Sequence, residues 1–384
     1  MLTDKRVYAD QAATTALGKA AWEAMEPWLK NAFGNPSALY EEGRLARDCV
    51  EAAREKTARL LGAQPREICF TSGGTEADNW AVYKAAALGA ESGKRHLILS
   101  AFEHHAVLNP AKALEREGFE ITLLPVHENG IVRTEELERA IRPDTALVSV
   151  MFVNNEVGTI QPAAELGAVC REKGVLFHTD AVQAAGHLSI DLKKLPVDLL
   201  SLSAHKFHGP KGIGALYMRS GTALQSLIQG GGQERGKRAG TENVAAIAGL
   251  AAALEESLSD REEKDRYVEG LRRTVQEALL SIEGSRLNGD LHKRLPGSLN
   301  VSFRGIEAEA LVVYLDMKKI AVSSGAACEA GALEPSHVLT AMGLSDSEAK
   351  GALRITLDET NTREEAEYLS RIIPEAVMRL REMA

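Results

Sequence analysis

Between residues 60 and 220 the chain alternates short apolar runs with longer segments of helical period. The runs are EICFTS (67–72), HLILS (96–100), EITLLPV (120–126), TALVSVMFVNN (145–155), VLFHTD (175–180), VDLLSLS (197–203) and IGALYM (213–218). Apolar character that is continuous rather than alternating implies burial on both faces, as in the inner strands of a parallel sheet. Between the runs lie TEADNWAVYKAAALGA (75–90), AFEHHAVLNPAKALERE (101–117), EVGTIQPAAELGAVCREKG (156–174) and the short AVQAAG (181–186), which take the helical places in the repeat. Strand, turn and helix repeated in this way predict an α/β fold. The expectation is a mainly parallel, seven-stranded sheet flanked by helices on both faces.

After GGGQERGKRAGTEN (230–243) the texture changes. Residues 243–282 read as nearly continuous helix. SLNVSF (298–303) alternates like a strand, EAEALVVYLDMKKI (307–320) is helical, IAVSS (320–324) is a short strand, and two more helical stretches follow. These predict a smaller α+β domain. The boundary is placed inside the long helix, giving a large domain over 13–260 and a small one over 261–384, to which residues 1–12 return.

Composition narrows the function. With 45% apolar and 26% charged residues, the 384-residue chain reads as globular protein with room for two cores. A net charge of −9 argues against broad binding to nucleic acid or acidic membranes. No window is long and apolar enough for a transmembrane helix, and the first residues lack the apolar core of a signal peptide, so a cytoplasmic location is expected. The four cysteines (Cys49, Cys69, Cys170, Cys328) form no CxxC and suggest neither a disulfide framework nor a metal site.

Ligands of open α/β sheets bind beyond the carboxyl ends of the strands. Five runs deliver polar groups there: Gly73-Gly74-Thr75, then Glu103-His104-His105, Asn154-Asn155, Asp180 with Gln183 one turn on, and His205-Lys206. Singly, each has an ordinary reading as a turn, a helix cap, a loop histidine or a solvated lysine. Together they match one ligand. Pyridoxal 5′-phosphate needs an amine for its aldehyde, a carboxylate to keep its ring nitrogen protonated, a planar group against its ring and donors around its phosphate. Lys206, Asp180 and His104 fit the first three needs. Gly74, Thr75, Ser203 and His205 fit the fourth, because glycine lets backbone N–H groups approach the phosphate at a helix start.

TSGGTEADN, EHHAVL, VNNEVG, HTDAVQ, SAHKFHGPKGIG, GGGQERGKRAGTEN and SSGAACEAGALEPSHVL occur in an order and at spacings that resemble cysteine desulfurases of the NifS/IscS type. These form part of the class V branch of fold-type I pyridoxal-phosphate enzymes, and the resemblance spans essentially the whole chain. It implies that Gln183 bonds the ring oxygen and that Asn155 lies near both cofactor and substrate carboxylate. It further implies that Arg354 clamps that carboxylate, that Asn35 lies near the substrate, and that Thr241 is donated to the phosphate of a partner subunit in a homodimer. Cys328, on a stretch of small residues, would be the nucleophile that takes sulfur from L-cysteine as a persulfide, with Lys206 and His104 as the other catalytic residues. The resemblance further implies that the sulfur passes to an acceptor such as an iron–sulfur scaffold protein of the IscU/NifU type. Glu329 follows Cys328 directly, and a carboxylate that approaches a thiol disfavours its thiolate. The alternatives are selenocysteine lyase, cysteine-sulfinate desulfinase, an aminotransferase or an idle homologue. A dinucleotide-binding reading fails for want of a G-x-G-x-x-G after the first strand of the repeat.

Overall fold

The computed structural model describes residues 6–324 and 334–383. The chain opens on a two-residue strand, β1 (Val7–Tyr8), which pairs in parallel with residues 320 and 321 rather than with anything near it in sequence. The principal sheet then forms from β2 (Ile68–Thr71), β3 (His96–Ser100), β4 (Glu120–Leu124), β5 (Thr145–Ser149), β6 (Leu176–Asp180), β7 (Leu199–Ser203) and β8 (Gly214–Met218). Their spatial order is β2-β8-β7-β6-β5-β3-β4. The strands from β7 to β4 run parallel, and β8 lies antiparallel to both of its neighbours. Every residue of β2, β3, β5, β7 and β8 is buried, as continuous apolar runs require. Edge strand β4 is half exposed and begins with the charged Glu120, which discourages pairing with another chain.

Helices pack on this sheet through small residues. The helix Gly74–Ala90 buries Ala77, Ala81, Ala85 and Gly89, and a Cβ on Gly89 would come within 2.4 Å of the Ala146 Cβ. Trp80, on the same helix, is fully buried beneath the loop that follows β8, and its indole N–H donates to the Gln225 carbonyl at 2.8 Å.

The remaining strands are β9 (Ser285–Leu287), β10 (Ser298–Phe303), β11 (Ile320–Ala321), β12 (Ser323–Ser324) and β13 (Ala352–Thr356). β11 receives β1, and the other four make an antiparallel sheet ordered β12-β13-β10-β9. Val268, Leu271, Val275 and Leu279, spaced as one helical stripe, share a core with Leu299, Val301, Leu353 and Ile355 of this sheet. Leu369, Ile373 and Val377 of the last helix, Arg363–Met383, complete that core.

Two expectations are corrected. Residues 243–282 are not one helix: Val244–Leu258 and Arg261–Leu280 are separated by Ser259 in extended conformation and Asp260 in the left-handed region (φ 50°). The break lets the first helix pack under the principal sheet and the second under the smaller one. The segment AVQAAG after β6 forms a turn, not a helix.

Candidate active site

Because β2, β3, β5, β6 and β7 point the same way, their carboxyl ends share one edge. A cavity of about 330 Å³ opens there, of a size that suits a small cofactor with its substrate. Its lining brings together Gly74, Thr75, His104, Asn155, Asp180, Gln183, Ser203, His205, Lys206 and Arg354. A shallower hollow formed by Ser72, Gly73, Glu76, Lys211 and Gly212 continues it past the start of the helix Gly74–Ala90.

Lys206 owes its place to Phe207. Beyond β7 the chain makes a single 3-10 turn, Ala204–Lys206, and the next side chain, Phe207, is wholly buried against Gly186. Gly186 has φ +79°, and a Cβ there would lie 2.4 Å from the Phe207 Cβ. Losing such an anchor costs about 3–5 kcal/mol. The Lys206 Nζ donates to the carbonyls of Ala12 (2.6 Å) and Ala13 (2.9 Å), so the returning N-terminal segment roofs the amine. The same segment accepts from Gln183 Nε2 at the Ala12 carbonyl (2.9 Å).

Asp180 is the last residue of β6, next to β7, and is buried. Burial raises its carboxyl to about 6, against the Val182 N–H, which donates to it at 2.8 Å, and the charge of Lys206. A cationic partner beside it would favour its charged form. His104 caps the helix His105–Arg116, its Nδ1 accepting from the Ala106 N–H at 3.1 Å. Burial, with Lys206 and His105, lowers it to about 4. A neutral ring that accepts at Nδ1 carries its proton on Nε2. His205, likewise lowered to about 4 chiefly by burial, bonds the Thr14 hydroxyl through Nδ1 at 3.1 Å.

The start of the helix Gly74–Ala90 is a cradle for an anion. A Cβ on Gly74 would sit 2.5 Å from Val182 Cγ2, so only glycine lets the helix start approach the cavity this closely. Behind it, Glu76 accepts from the Ser72 N–H at 2.8 Å and takes both arms of Arg238, at 2.9 and 3.1 Å.

Arg354 reaches the cavity from β13. Its buried guanidinium donates from Nη2 to Asp10 at 2.8 Å and from Nη1 to the Asn155 carbonyl at 3.1 Å, while its buried Nε has no hydrogen-bond partner among the described residues. A substrate carboxylate would exchange with Asp10 for the fork.

Three sequence candidates are not in this lining. Asn35 is exposed on the 31–40 loop, where its side chain accepts from the Ser37 N–H. Thr241 is exposed in a neighbouring hollow that meets the cradle at Ser72 and Gly212. Cys328, with Glu329, lies outside the described residues. The other three cysteines are free thiols pushed upward by burial: Cys49 to about 11, Cys170 to about 12 and Cys69 well above its ordinary value. Such thiols stay protonated and make poor nucleophiles. Asp10, Asp78 and the carbonyls of Ala12 and Ala13 were not read as site groups in the sequence. For Asp78 a signal exists, an acid on the face of its helix that otherwise holds Gly74, Ala77, Ala81 and Ala85.

Residues 7–369 match the model of the family described as Aminotransferase class-V. The chain belongs to the class-V aminotransferase family. It is 49% identical over 381 residues to "Cysteine desulfurase IscS" of Methanosarcina thermophila, covering 99% of this chain and 94% of that one. Its likeness to "Cysteine desulfurase IscS" of Clostridium botulinum strain Hall is 47% over 384 residues, 99% and 96% of the two chains. A solved structure titled "NIFS-LIKE PROTEIN" superposes with a TM-score of 0.92 at 41% identity, covering 98% of this chain and all of that one. Within the class-V family this is a pyridoxal-phosphate-dependent cysteine desulfurase of the NifS/IscS type, with L-cysteine as substrate and sulfur passed to an acceptor. The cavity fits that cofactor on its own terms. A buried carboxylate suits a ring N–H, a glycine-only helix start suits a phosphate, and a tethered amine stands between them.

Proposed function

We propose the following division of labour for the desulfurase reaction. Lys206 would hold the cofactor's aldehyde carbon, Asp180 the proton on its ring nitrogen, Gln183 and Asn155 its ring oxygen, and His104 would lie against the ring. Gly74, Thr75, Ser203 and His205 would hold the phosphate. Bound there, pyridoxal phosphate supplies an electron sink for the α-carbon of the substrate. Arg354 binds the carboxylate of L-cysteine in place of Asp10. The Lys206 amine would take the α-proton of the bound substrate. His104 moves a proton at Nε2 near the substrate thiol. The Cys328 thiolate attacks the substrate sulfur. The carbon–sulfur bond breaks, a persulfide forms on Cys328, and the three-carbon remainder leaves as alanine. The observation that carries this reading is the pairing of Asp180 and Lys206 at adjacent strand ends inside one cavity with the Gly74 cradle.

The reading extends to partners. Thr241 serves a partner subunit's phosphate in a homodimer, and Asn35 lies near the substrate once that dimer forms. Its support is the loop that carries Thr241. Arg54 donates to both oxygens of buried Glu234 at 2.7 and 2.8 Å, and Arg238 grips Glu76, so the loop is held firmly while Thr241 stays exposed. On the loop that carries Asn35, the apolar side chains of Phe33 at 87% and Leu39 at 83% exposure are those a second copy would cover. Two domains, 13–260 and 1–12 with 261–384, meet at the cavity. A structural relative titled "SspA in complex with cysteine" (39% identical, TM-score 0.82, 92% of this chain and 99% of that one) supports the substrate assignment. The acceptor is an iron–sulfur scaffold of the IscU/NifU type, and the location is cytoplasmic. No helix among the described residues is long and apolar enough to cross a membrane, and three cysteines are free thiols, in keeping with that location.

Intact mass spectrometry after incubation with L-cysteine, reductant removed, tests the core of this. A mass gain of one sulfur in the cofactor-loaded protein, absent in Cys328→Ala, is expected. No gain in the loaded wild type would overturn the role of Cys328.

A further inference from the structure

The loop that carries His104 is held by a residue the scheme above does not use. That loop, 101–104, leaves β3 and enters the helix His105–Arg116. Its first residues are tied to β4 and to the segment after β5. The Ala101 N–H donates to the Leu124 carbonyl at 2.9 Å, and the Phe102 carbonyl accepts from Asn154 Nδ2 at 3.2 Å. Glu103 is fully buried, and its Oε1 accepts from the Met151 N–H at 2.7 Å and from the Ser100 hydroxyl. At the other end the His104 carbonyl accepts from the Val107 and Leu108 N–H groups of the helix. Between these supports the remaining freedom is rotation of the Glu103 carbonyl. That rotation governs His104, because the Glu103 carbonyl and the His104 N–H share one rigid peptide plane.

His337 takes up that freedom. Its Nε2 lies 2.9 Å from the Glu103 carbonyl oxygen. A carbonyl can only accept, so Nε2 carries the proton and donates. The His337 and His105 ring centroids are 4.6 Å apart, with the planes tilted by 53°. His337 is itself well anchored. The Ser336 hydroxyl, just before it, donates to Glu156 Oε2 at 2.5 Å and accepts from the Leu339 N–H at 3.3 Å, capping the helix His337–Ala341. Val338 and Leu339, just after it, are buried in the core beneath the principal sheet. Two bonds therefore set where the His104 imidazole stands. The His337 bond fixes the peptide plane that enters it, and the Ala106 N–H, 3.1 Å from Nδ1, fixes the ring.

We propose that His337 is a positioning residue for the desulfurase reaction, its Nε2–H on the Glu103 carbonyl keeping the His104 imidazole in its place on the cavity wall. It acts through His104, and its weight in the reaction rests on the reading of His104 as the group against the cofactor ring. Its place in the sequence suits the task. Before residues 325–333, which include Cys328, Ser323 pairs with Arg354; after them, His337 holds the loop of His104. The stretch that carries Cys328 is thus flanked on both sides by residues joined to groups of the site.

A double-substitution cycle in the cofactor-loaded protein tests it, read as alanine release from L-cysteine and as the visible circular dichroism of the bound cofactor. His337→Phe keeps a ring beside His105 and removes the donor. It is expected to lower kcat about tenfold with KM changed less than about twofold, and to move the dichroism in the direction that His104→Ala moves it. In protein already carrying His104→Ala, His337→Phe is expected to cost nothing further, since a residue that acts through His104 has nothing left to act on. His337→Gln, whose amide N–H has a similar reach, is expected to restore both readouts. An equal loss in both backgrounds, no loss in either, or a Gln variant as poor as Phe would overturn the proposal. If His337→Phe does not load cofactor, His337→Met, which also lacks a donor, takes its place with the same expectations. Failure of the underlying reading looks different: His104→Ala alone would leave kcat and the dichroism unchanged.

Discussion

The floor of the cavity and its rim are built on different principles. Asp180, Ser203 and Lys206 stand at or just beyond the ends of two neighbouring buried strands, and their backbone is fixed by the sheet. Asn35 and Thr241 stand on loops and are exposed, and Arg354 arrives from a separate sheet. The contrast separates two tasks. Groups whose charge and distance must not drift are placed where the backbone is held by the sheet, and under the proposed scheme the remaining groups come from other parts of the protein.

That contrast can be broken by substitution. The largest effect is expected at the floor. Lys206→Ala should lower alanine release from L-cysteine by on the order of 10⁴-fold or more, since under the proposed scheme it removes both the covalent anchor and the proton carrier. Asp180→Asn should cost on the order of 10³-fold in kcat, with a changed cofactor absorption, because a preorganised charge is removed from a dry site. A rim substitution that costs as much as either would erase the distinction. Arg354→Lys sharpens it further. The ammonium cannot offer two parallel bonds, so KM for L-cysteine should rise about tenfold while kcat changes little. A fall in kcat with unchanged KM would move Arg354 from substrate binding to the floor's chemistry.

The smallest effect concerns the seam between the two sheets. His208, two residues past Lys206, lies 3.2 Å from buried Asp358. Burial would lower the imidazole, but the Asp358 carboxylate outweighs it and the net shift is upward, while Asp358 itself is held down. A raised histidine stabilises the folded state fully below its unfolded value, about 6.5, and that contribution fades as pH rises through the folded value. The melting temperature of wild type minus His208→Gln should therefore be positive at pH 6 and shrink on going to pH 9, by on the order of 1–2 °C. A difference that is flat across this range would show that the pair carries no ion-pair stabilisation.

The same contrast explains what could be read from the sequence. The inner strands β3, β5 and β7 were legible because burial on both faces leaves an unbroken apolar signature, and the polar residue ending each of those runs stands out against it. The rim was less legible. That Ala12 and Ala13 would bind Lys206 leaves no trace in side-chain pattern, since the contacts are backbone carbonyls. Asp10 as the companion of Arg354 depends on a bridge between residues 344 positions apart. The break at Asp260 was hidden because both halves keep helical period and the break needs only two residues. Asp78 was hidden in a helix start, where acids are ordinary.

The strap that holds Lys206 also sets an order of events. Ala12 and Ala13 are made before the principal sheet, yet what fixes them is made after it. β1 waits for Ile320 and Ala321, the Ala9 carbonyl for the Thr356 N–H, and Asp10 for Arg354. Chains are made from the N-terminus, and domains fold as they appear. A nascent chain that has completed the principal sheet therefore already carries Lys206, Asp180 and Gly74, but the amine has no roof and Asp10 has no guanidinium beside it. The roof over the amine and the guanidinium beside Asp10 are therefore added only once β11 and β13 have been made, well after the principal sheet.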